Sequence, residues 1–98
     1  MAGTPTHAIV VTVTFKPGRG DDARQLLERE VVPGAAAAPG FVAGYWMHSA
    51  DASTGTSVEL FDSRAHAEAE MGRRSTAPAP EAPVTVTSAA IWEIVARG

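Results

Sequence analysis

The run PGFVAGYWMHS at residues 39–49 constrains the fold of this chain more than any other stretch. Its Pro-Gly pair predicts a turn, and the aromatic and β-branched residues after that pair predict a β-strand over residues 41–49. A strand pattern and then a helix pattern precede this run. A strand, a helix and a last strand follow it, so the run lies between two groups of elements.

The first strand is predicted over residues 7–15, HAIVVTVTF, which are rich in β-branched side chains. Its odd-numbered residues share one face, and we expect this face to pack on the core. Residues 16–20, KPGRG, predict a turn. Two aspartates then open a helix over residues 21–32, in which apolar residues recur at helical spacing. Pro33 and Gly34 predict the end of that helix.

The second half of the chain predicts three further elements. Residues 56–61 form a short strand, and Ser63 is a candidate N-cap for a helix over residues 64–71. Residues 73–83 are rich in proline and alanine, which predicts a loop. The last strand is predicted over residues 84–95, and it is apolar on both faces.

The order β-α-β-β-α-β predicts an α+β domain of ferredoxin-like type, a four-stranded antiparallel sheet with two helices on one face. Residues 1–98 are expected to form this single domain, with residues 1–6 loose. The outer strands of the sheet are apolar on both faces, although the uncovered face of such a sheet is normally polar. We therefore expect a homodimer whose sheets pack face to face. Ile91 and Val95 are predicted to lie on that interface.

Composition excludes several classes of function. The net charge of -3 disfavours nucleic acid as a partner, because phosphate binding requires a basic face. The chain contains no cysteine, so disulfides, thiolate catalysis and cysteine-ligated zinc are excluded. No apolar segment is long enough to predict a membrane span. We expect a soluble, cytoplasmic protein.

Four segments resemble the antibiotic-biosynthesis monooxygenases: the strand-turn VTVTFKPG, a helix ending in VVP, the PGFVAGYW strand and the junction SVELFDSRAHAEA. The resemblance covers residues 8–95 and implies a dimeric α+β barrel with a small-molecule pocket between the sheet and the helices of each protomer. Catalytic members oxygenate phenolic or polyketide-like substrates without metal or flavin, and the substrate supplies the electrons to dioxygen. The resemblance therefore implies no cofactor and a small apolar or aromatic molecule as partner.

The chain departs from two branches of that family. The haem-degrading branch uses an Asn on the first strand, a Trp in the second helix and a His shortly after it. Counting from the KPG turn and the FDS junction, these positions fall on Val11, Glu70 and a loop without histidine. Haem degradation is therefore not expected. The Asn-Trp-Tyr-Arg set of quinone-forming members is not recognisable either, since the chain contains no asparagine.

Oxygenation without a cofactor needs a base that forms the substrate anion and donors that hold the developing charge. His48 or His66 is the candidate base, and Tyr45 is the candidate hydrogen-bond donor. The alternative interpretation makes Tyr45 a core or interface aromatic and His48 a solvated strand end. For His66 the alternative is a solvated pair with Glu70 on the outer face of the helix, near Glu59 of the preceding strand.

Four residues are candidate ligand contacts. Trp46 and Trp92 could stack on a flat aromatic ligand or fill the dimer barrel, and Val11 and His7 belong to the predicted core face of the first strand. Alternation places Trp46 on the opposite face from Tyr45. The three histidines have no metal-ligand spacing, so no metal site is expected.

Three functions remain open from the sequence. The first is a cofactor-independent monooxygenase that acts on a phenolic or quinone-like molecule. The second is a non-catalytic ligand-binding or interaction module of the same fold. The third is an isomerase or decarboxylase on the same scaffold, which would not consume oxygen.

Overall fold

A computed structural model describes residues 3–74 and 82–98 of the chain. Its four strands are β1 His7–Phe15, β2 Phe41–His48, β3 Thr54–Phe61 and β4 Val84–Glu93. They form one antiparallel sheet in the order β2-β3-β1-β4. The predicted α+β ferredoxin-like fold, with the order β-α-β-β-α-β, is confirmed.

The first helical region is longer than predicted. α1 Gly20–Leu26, a π-helical turn Leu27–Val31 and α2 Val32–Ala36 follow one another without interruption. The prediction that Pro33 ends the helix at residue 32 is wrong. Pro33 directly follows the π-helical turn, where the backbone N–H of Val32 bonds to the carbonyl of Leu27 five residues back, and this change of hydrogen-bond pattern accommodates a residue without an N–H. The helix therefore ends one turn later, next to the turn that starts β2.

The second helix, α3 Arg64–Arg73, begins as predicted. Ser63 has extended backbone angles, and its hydroxyl accepts a hydrogen bond from the backbone N–H of His66 at 3.1 Å. Residues 75–81 of the predicted Pro/Ala-rich loop lie outside the described residues, whereas Arg73 belongs to α3. At the predicted loose end of the chain, the backbone of Thr6 is hydrogen-bonded to Phe61 and Ile94.

Strand register sorts the sheet residues onto two faces. Ile9 of β1 lies opposite Glu59 of β3 and Ile91 of β4, and the side chains of these partners point to the same face. This inner face is covered by the helices. The outer face carries the alternate residues of each strand, which include Tyr45 and Trp92.

An irregularity in β4 corrects one prediction about the dimer interface. Thr12 pairs with Ser88 and Val13 with Val86, so Thr87 is an extra residue in β4. This bulge places the two ends of β4 out of phase with simple alternation. Ile91 therefore lies on the inner face and packs against the core, and the prediction that it belongs to the interface is wrong.

The core is small. Ile9, Phe61 and Ala67 form its buried cluster, and the ring of Phe41 meets that of Phe61 edge-on at 6.0 Å between centroids. Gly40, in the turn before β2, has φ +81° and lies against the side chain of His66. Any other residue there would be strained and would clash.

None of the helices in the described ranges has the length and the apolar character needed to cross a bilayer.

Candidate functional site

A cavity of about 340 Å³ lies between the inner face of the sheet and the helices. This volume is at the small end of the range for sites that bind small molecules. The walls are mainly apolar, because the inner-face residues of β1 and β4 meet one side of the long first helical region. The lining includes Ile9, Val11, Val13, Phe15, Leu26, Leu27, Val31, Trp46, Ser57, Glu59, Met71, Arg74, Val84, Val86 and Ala89.

The cavity exists because one row of the sheet carries small side chains. Trp46, Ser57, Val11 and Ala89 are aligned across β2, β3, β1 and β4 on the inner face. Three of these four side chains are small or of medium size and all four line the cavity, so the row forms a floor with Trp46 at one edge. Gly44 makes room for that indole: a Cβ built on Gly44 would lie 2.6 Å from Cη2 of Trp46.

A buried charge cluster forms part of the cavity wall. Glu59 is 1% exposed and Glu70 is 4% exposed, and both bind the guanidinium of Arg74. Nη1 and Nη2 of Arg74 donate to the two carboxylate oxygens of Glu59 at 2.7 and 2.5 Å. Nε of Arg74 donates to Glu70 at 2.6 Å, and Arg73 binds the same carboxylate from the solvent side. Two carboxylates and two guanidiniums make the cluster neutral overall.

Arg73 and Arg74 keep Glu70 ionised. Burial alone would raise the pKa of Glu70, but hydrogen bonds and charge from Arg73 and Arg74 outweigh it and hold that pKa below its ordinary value. Burial would likewise lower the pKa of Arg74, and the carboxylates of Glu59 and Glu70 raise it instead. All three nitrogens of the Arg74 guanidinium donate a hydrogen bond to these carboxylates, and Nη2 also lies 2.5 Å from Oε2 of Glu70.

The cluster corrects an expectation drawn from the sequence. His66 and Glu70 were expected to form a solvated pair, but Glu70 is buried against Arg74. His66 binds Asp62 instead, with 2.6 Å between Nδ1 and Oδ1. The available signals were the spacing of Glu70 and Arg74, four residues apart on a helix, and the alternation that buries Glu59 in β3.

The structure brings together two of the predicted ligand contacts. Val11 and Trp46 both line the cavity. Trp92 and Tyr45 lie on the outer face, where they are 61% and 60% exposed. Tyr45 therefore cannot donate to a molecule inside the cavity of its own subunit.

The three histidines do not line the cavity. Nδ1 of His48 lies 2.8 Å from the backbone oxygen of Ser49, and Nδ1 of His7 lies 2.9 Å from the hydroxyl of Thr6. The catalytic roles of His48, His66 and Tyr45 remain predictions. Within residues 3–74 and 82–98, no three His, Asp or Glu side chains are grouped as metal ligands.

One buried polar atom on the cavity floor, Nε1 of Trp46, has no hydrogen-bond partner among the described residues. Its neighbour Ser57 is 8% exposed, lines the cavity and forms no hydrogen bond through its hydroxyl with residues 3–74 and 82–98. Buried polar groups in folded proteins are nearly always paired, so Nε1 of Trp46 requires an explanation.

Solved structures share this fold. A protein of unknown function from Nitrosomonas europaea, NE2512, is 19% identical and has a TM-score of 0.70; the match covers 96% of this chain and 93% of that one. A monooxygenase from the gene ActVA-Orf6 of Streptomyces coelicolor, in complex with nanaomycin D, is 18% identical with a TM-score of 0.65 and coverages of 96% and 89%. PA3566 from Pseudomonas aeruginosa is 18% identical with a TM-score of 0.65, and 97% of each chain is covered.

A comparison with curated proteins found no match. The sequence profile of the family described as antibiotic biosynthesis monooxygenase matches residues 6–74. This segment contains β1 to β3, the long first helical region and α3, and with them most of the cavity wall. Because the profile spans more than half of the chain, the protein belongs to the antibiotic biosynthesis monooxygenase family.

Proposed function

We propose that the protein is a homodimeric oxygenase that binds a flat phenolic or polyketide-like aromatic molecule in its inner cavity and oxygenates it without a cofactor. The observation that carries this proposal is the buried Glu59–Arg74 pair in the wall of an otherwise apolar cavity. Such a cavity excludes water, holds an aromatic ring and offers one ionised pair to the reacting edge of that ring.

The proposed reaction converts a ring CH₂ group and O₂ into a ring carbonyl and water. One oxygen atom enters the product, and the other leaves with two substrate hydrogens. The first step transfers a substrate proton to the carboxylate of Glu59, and the resulting anion passes an electron to O₂. The transfer moves one negative charge from Glu59 to the substrate and leaves the net charge of the cavity unchanged, so the positive charge of Arg74 is balanced before and after the step.

In this proposal Glu59 is the base in place of His48 or His66, because Glu59 lines the cavity and these histidines do not. Trp46 provides a stacking surface at the edge of the floor. The family description supports an oxygenation reaction. The similar Streptomyces coelicolor monooxygenase was solved with nanaomycin D, which supports a search among polycyclic aromatic substrates.

The proposed dimer uses the outer face of the sheet. Tyr45, Met47 and Trp92 are 60%, 50% and 61% exposed there. These side chains lie at the two opposite edges of the sheet, on β2 and β4, and large apolar side chains that frame one exposed face are typical of an interface. A second copy of the chain supplies a matching apolar face, because a two-fold axis pairs each patch with itself.

Oxygen uptake with anthrones that carry phenolic hydroxyls and a ring CH₂ group tests the catalytic proposal. We expect uptake by the wild type and a product that has gained one oxygen and lost two hydrogens. Glu59→Gln should reduce the rate by about a hundredfold or more, because it removes the base while keeping the side-chain shape. Glu68→Gln is the matched control, since Glu68 is exposed on α3. Uptake by Glu59→Gln at the wild-type rate would contradict the proposal.

A specific observation favours a second candidate, a non-catalytic binding module. Both oxygens of Glu59 already accept hydrogen bonds from Arg74, so the pair is satisfied without a substrate. If the protein is a binding module, native mass spectrometry would show a bound ligand whose mass is unchanged, and no oxygen would be consumed. Unchanged ligand mass after aerobic incubation would favour the module over the oxygenase.

A further inference from the structure

We propose that Ser57 determines specificity in this cavity by donating a hydrogen bond to a neutral carbonyl oxygen of an aromatic ligand. The inference rests on the proposed function in one respect, that the inner cavity is the ligand site. It adds that the ligand must carry a neutral carbonyl oxygen, and it names Ser57 as the residue that recognises this oxygen.

The burial of Ser57 is the first observation. Its side chain is on the inner face of β3, it lines the cavity, it is 8% exposed, and its hydroxyl forms no hydrogen bond with the described residues. The hydroxyl is therefore an available donor on a mainly apolar cavity surface, where alanine would offer none. A ligand acceptor in the cavity supplies the missing partner.

The neighbours of Ser57 give the subsite its shape. Ser57 lies directly between Trp46 and Val11 across the sheet. Glu59 is two residues further along the same face, which is about 7 Å for a β-strand. A ring that rests beside Trp46 with one oxygen at Ser57 therefore directs its far edge toward Glu59, the base of the proposed reaction.

The unpaired polar groups on the floor favour an acceptor on the ligand. Nε1 of Trp46 is a donor only, and the Ser57 hydroxyl can also donate. The adjacent cluster is already neutral, because Glu59 and Glu70 are matched by Arg73 and Arg74. An anionic ligand would add an uncompensated buried charge, so a neutral ketone or quinone oxygen fits better than a carboxylate.

Binding of two probes of similar shape tests this inference. 1,4-Naphthoquinone has two carbonyl oxygens, and 1,4-dimethylnaphthalene has methyl groups in their places. Tryptophan fluorescence in a Trp92→Phe background reports on Trp46 alone, since the chain has two tryptophans. We expect the quinone to bind at least tenfold more tightly than the hydrocarbon. Ser57→Ala should remove about tenfold of this preference, the upper range for one hydrogen bond between neutral groups.

Ser88→Ala is the matched control, because it makes the same chemical change on the outer face. It should leave the preference for the quinone unchanged. Ser57→Ala should also melt at or above the wild-type temperature, because the hydroxyl it removes is unpaired in the ligand-free protein. This second readout separates a role in ligand recognition from a role in the fold.

Three results would overturn the inference: an unchanged preference in Ser57→Ala, an equal loss for both probes, or no binding of the quinone by the wild type. The outcome is independent of the oxygenase proposal. Ser57-dependent binding without oxygen uptake would refute the oxygenase and keep the inference. Glu59-dependent uptake without an effect of Ser57 on binding would do the reverse.

Discussion

Replacing Arg74 by methionine should destabilise the protein and reverse the pH dependence of its stability. Arg74 is the cation shared by two buried carboxylates. Glu70 keeps a second partner in Arg73, with N–O distances of 2.8 and 2.5 Å. Glu59 accepts hydrogen bonds from no other cation among the described residues and interacts only with the more distant charge of Arg73, so it would remain as a buried charge without a hydrogen-bonded partner.

The magnitude follows from the burial of Glu59. Removing one partner of a buried ion pair typically costs about 3–5 kcal/mol, because the remaining charge loses both solvent and counter-ion. Glu59 is 1% exposed, so little of this cost is relieved by water. We expect a loss of about 3–4 kcal/mol in the free energy of unfolding at pH 7. A small domain can lose much of its stability in this way.

The pH dependence has opposite signs in the two proteins. In the wild type the lowered pKa of Glu70 stabilises the fold fully above the ordinary pKa of a glutamate, and this contribution is lost as the pH falls from that value through the lowered pKa. In Arg74→Met an unpaired buried carboxylate binds a proton more readily in the folded state than in the unfolded state. The variant should therefore recover stability as the pH falls from about 7 to about 5.

Urea unfolding followed by circular dichroism between about pH 3 and pH 8 measures both effects, because the Glu70 contribution is lost only below the ordinary pKa of a glutamate. Arg73→Met is the matched control, since the side chain of Arg73 is mostly exposed and its loss should cost at most about 1 kcal/mol. The double variant Glu59→Met with Arg74→Met should regain most of the lost stability, because no unpaired charge remains at that position. A loss below about 1 kcal/mol in Arg74→Met, or equal losses in both arginine variants, would refute the burial of the cluster.

Two further predictions concern the interface and the turn before β2. Trp92→Glu should convert the proposed dimer to a monomer, measured by size-exclusion chromatography with light scattering. The control Trp92→Tyr should stay dimeric. If Trp92→Glu is still a dimer, the outer face is not the interface. Gly40→Ala should lower the free energy of unfolding by about 1–3 kcal/mol because of its positive φ and its contact with His66. Gly72→Ala, in α3 where no atom lies near a built Cβ, should instead raise the free energy of unfolding by about 0.5–1 kcal/mol. Equal effects of Gly40→Ala and Gly72→Ala would show that the backbone at Gly40 causes no strain.

Local patterns in the sequence predict most of the architecture. Alternation over residues 7–15 identifies the inner face of β1, and Ser63 marks the start of α3. These signals are local because side-chain direction in a strand and hydrogen bonding at a helix N-terminus depend on a few neighbouring residues. Proline normally ends a helix, but Pro33 directly follows a π-helical turn in which the hydrogen-bond pattern changes. The sequence does not reveal that turn, so the prediction at Pro33 was wrong.

The candidate site was only partly accessible from the sequence. The separation of Trp46 from Tyr45 onto opposite faces follows from alternation and is present in the structure. The position of Ile91 was not accessible, because a single extra residue at Thr87 reverses the faces of β4 on one side of the bulge. Sequence alternation alone does not reveal where such a residue is inserted.

By itself, the sequence determines the order of elements, the inner face of β1, the apolar character of the outer strands and the absence of cysteine chemistry. Tertiary structure alone decides that Glu59, Glu70 and Arg74 meet beside the cavity, and that the hydroxyl of Ser57 lies on its floor with no hydrogen bond to the described residues. The physical reason is that burial and pairing of charged and polar groups depend on contacts between residues distant in the chain. Arg74 and Glu59 are 15 positions apart, and pairing across the sheet brings Ser57 beside Val11 and Trp46.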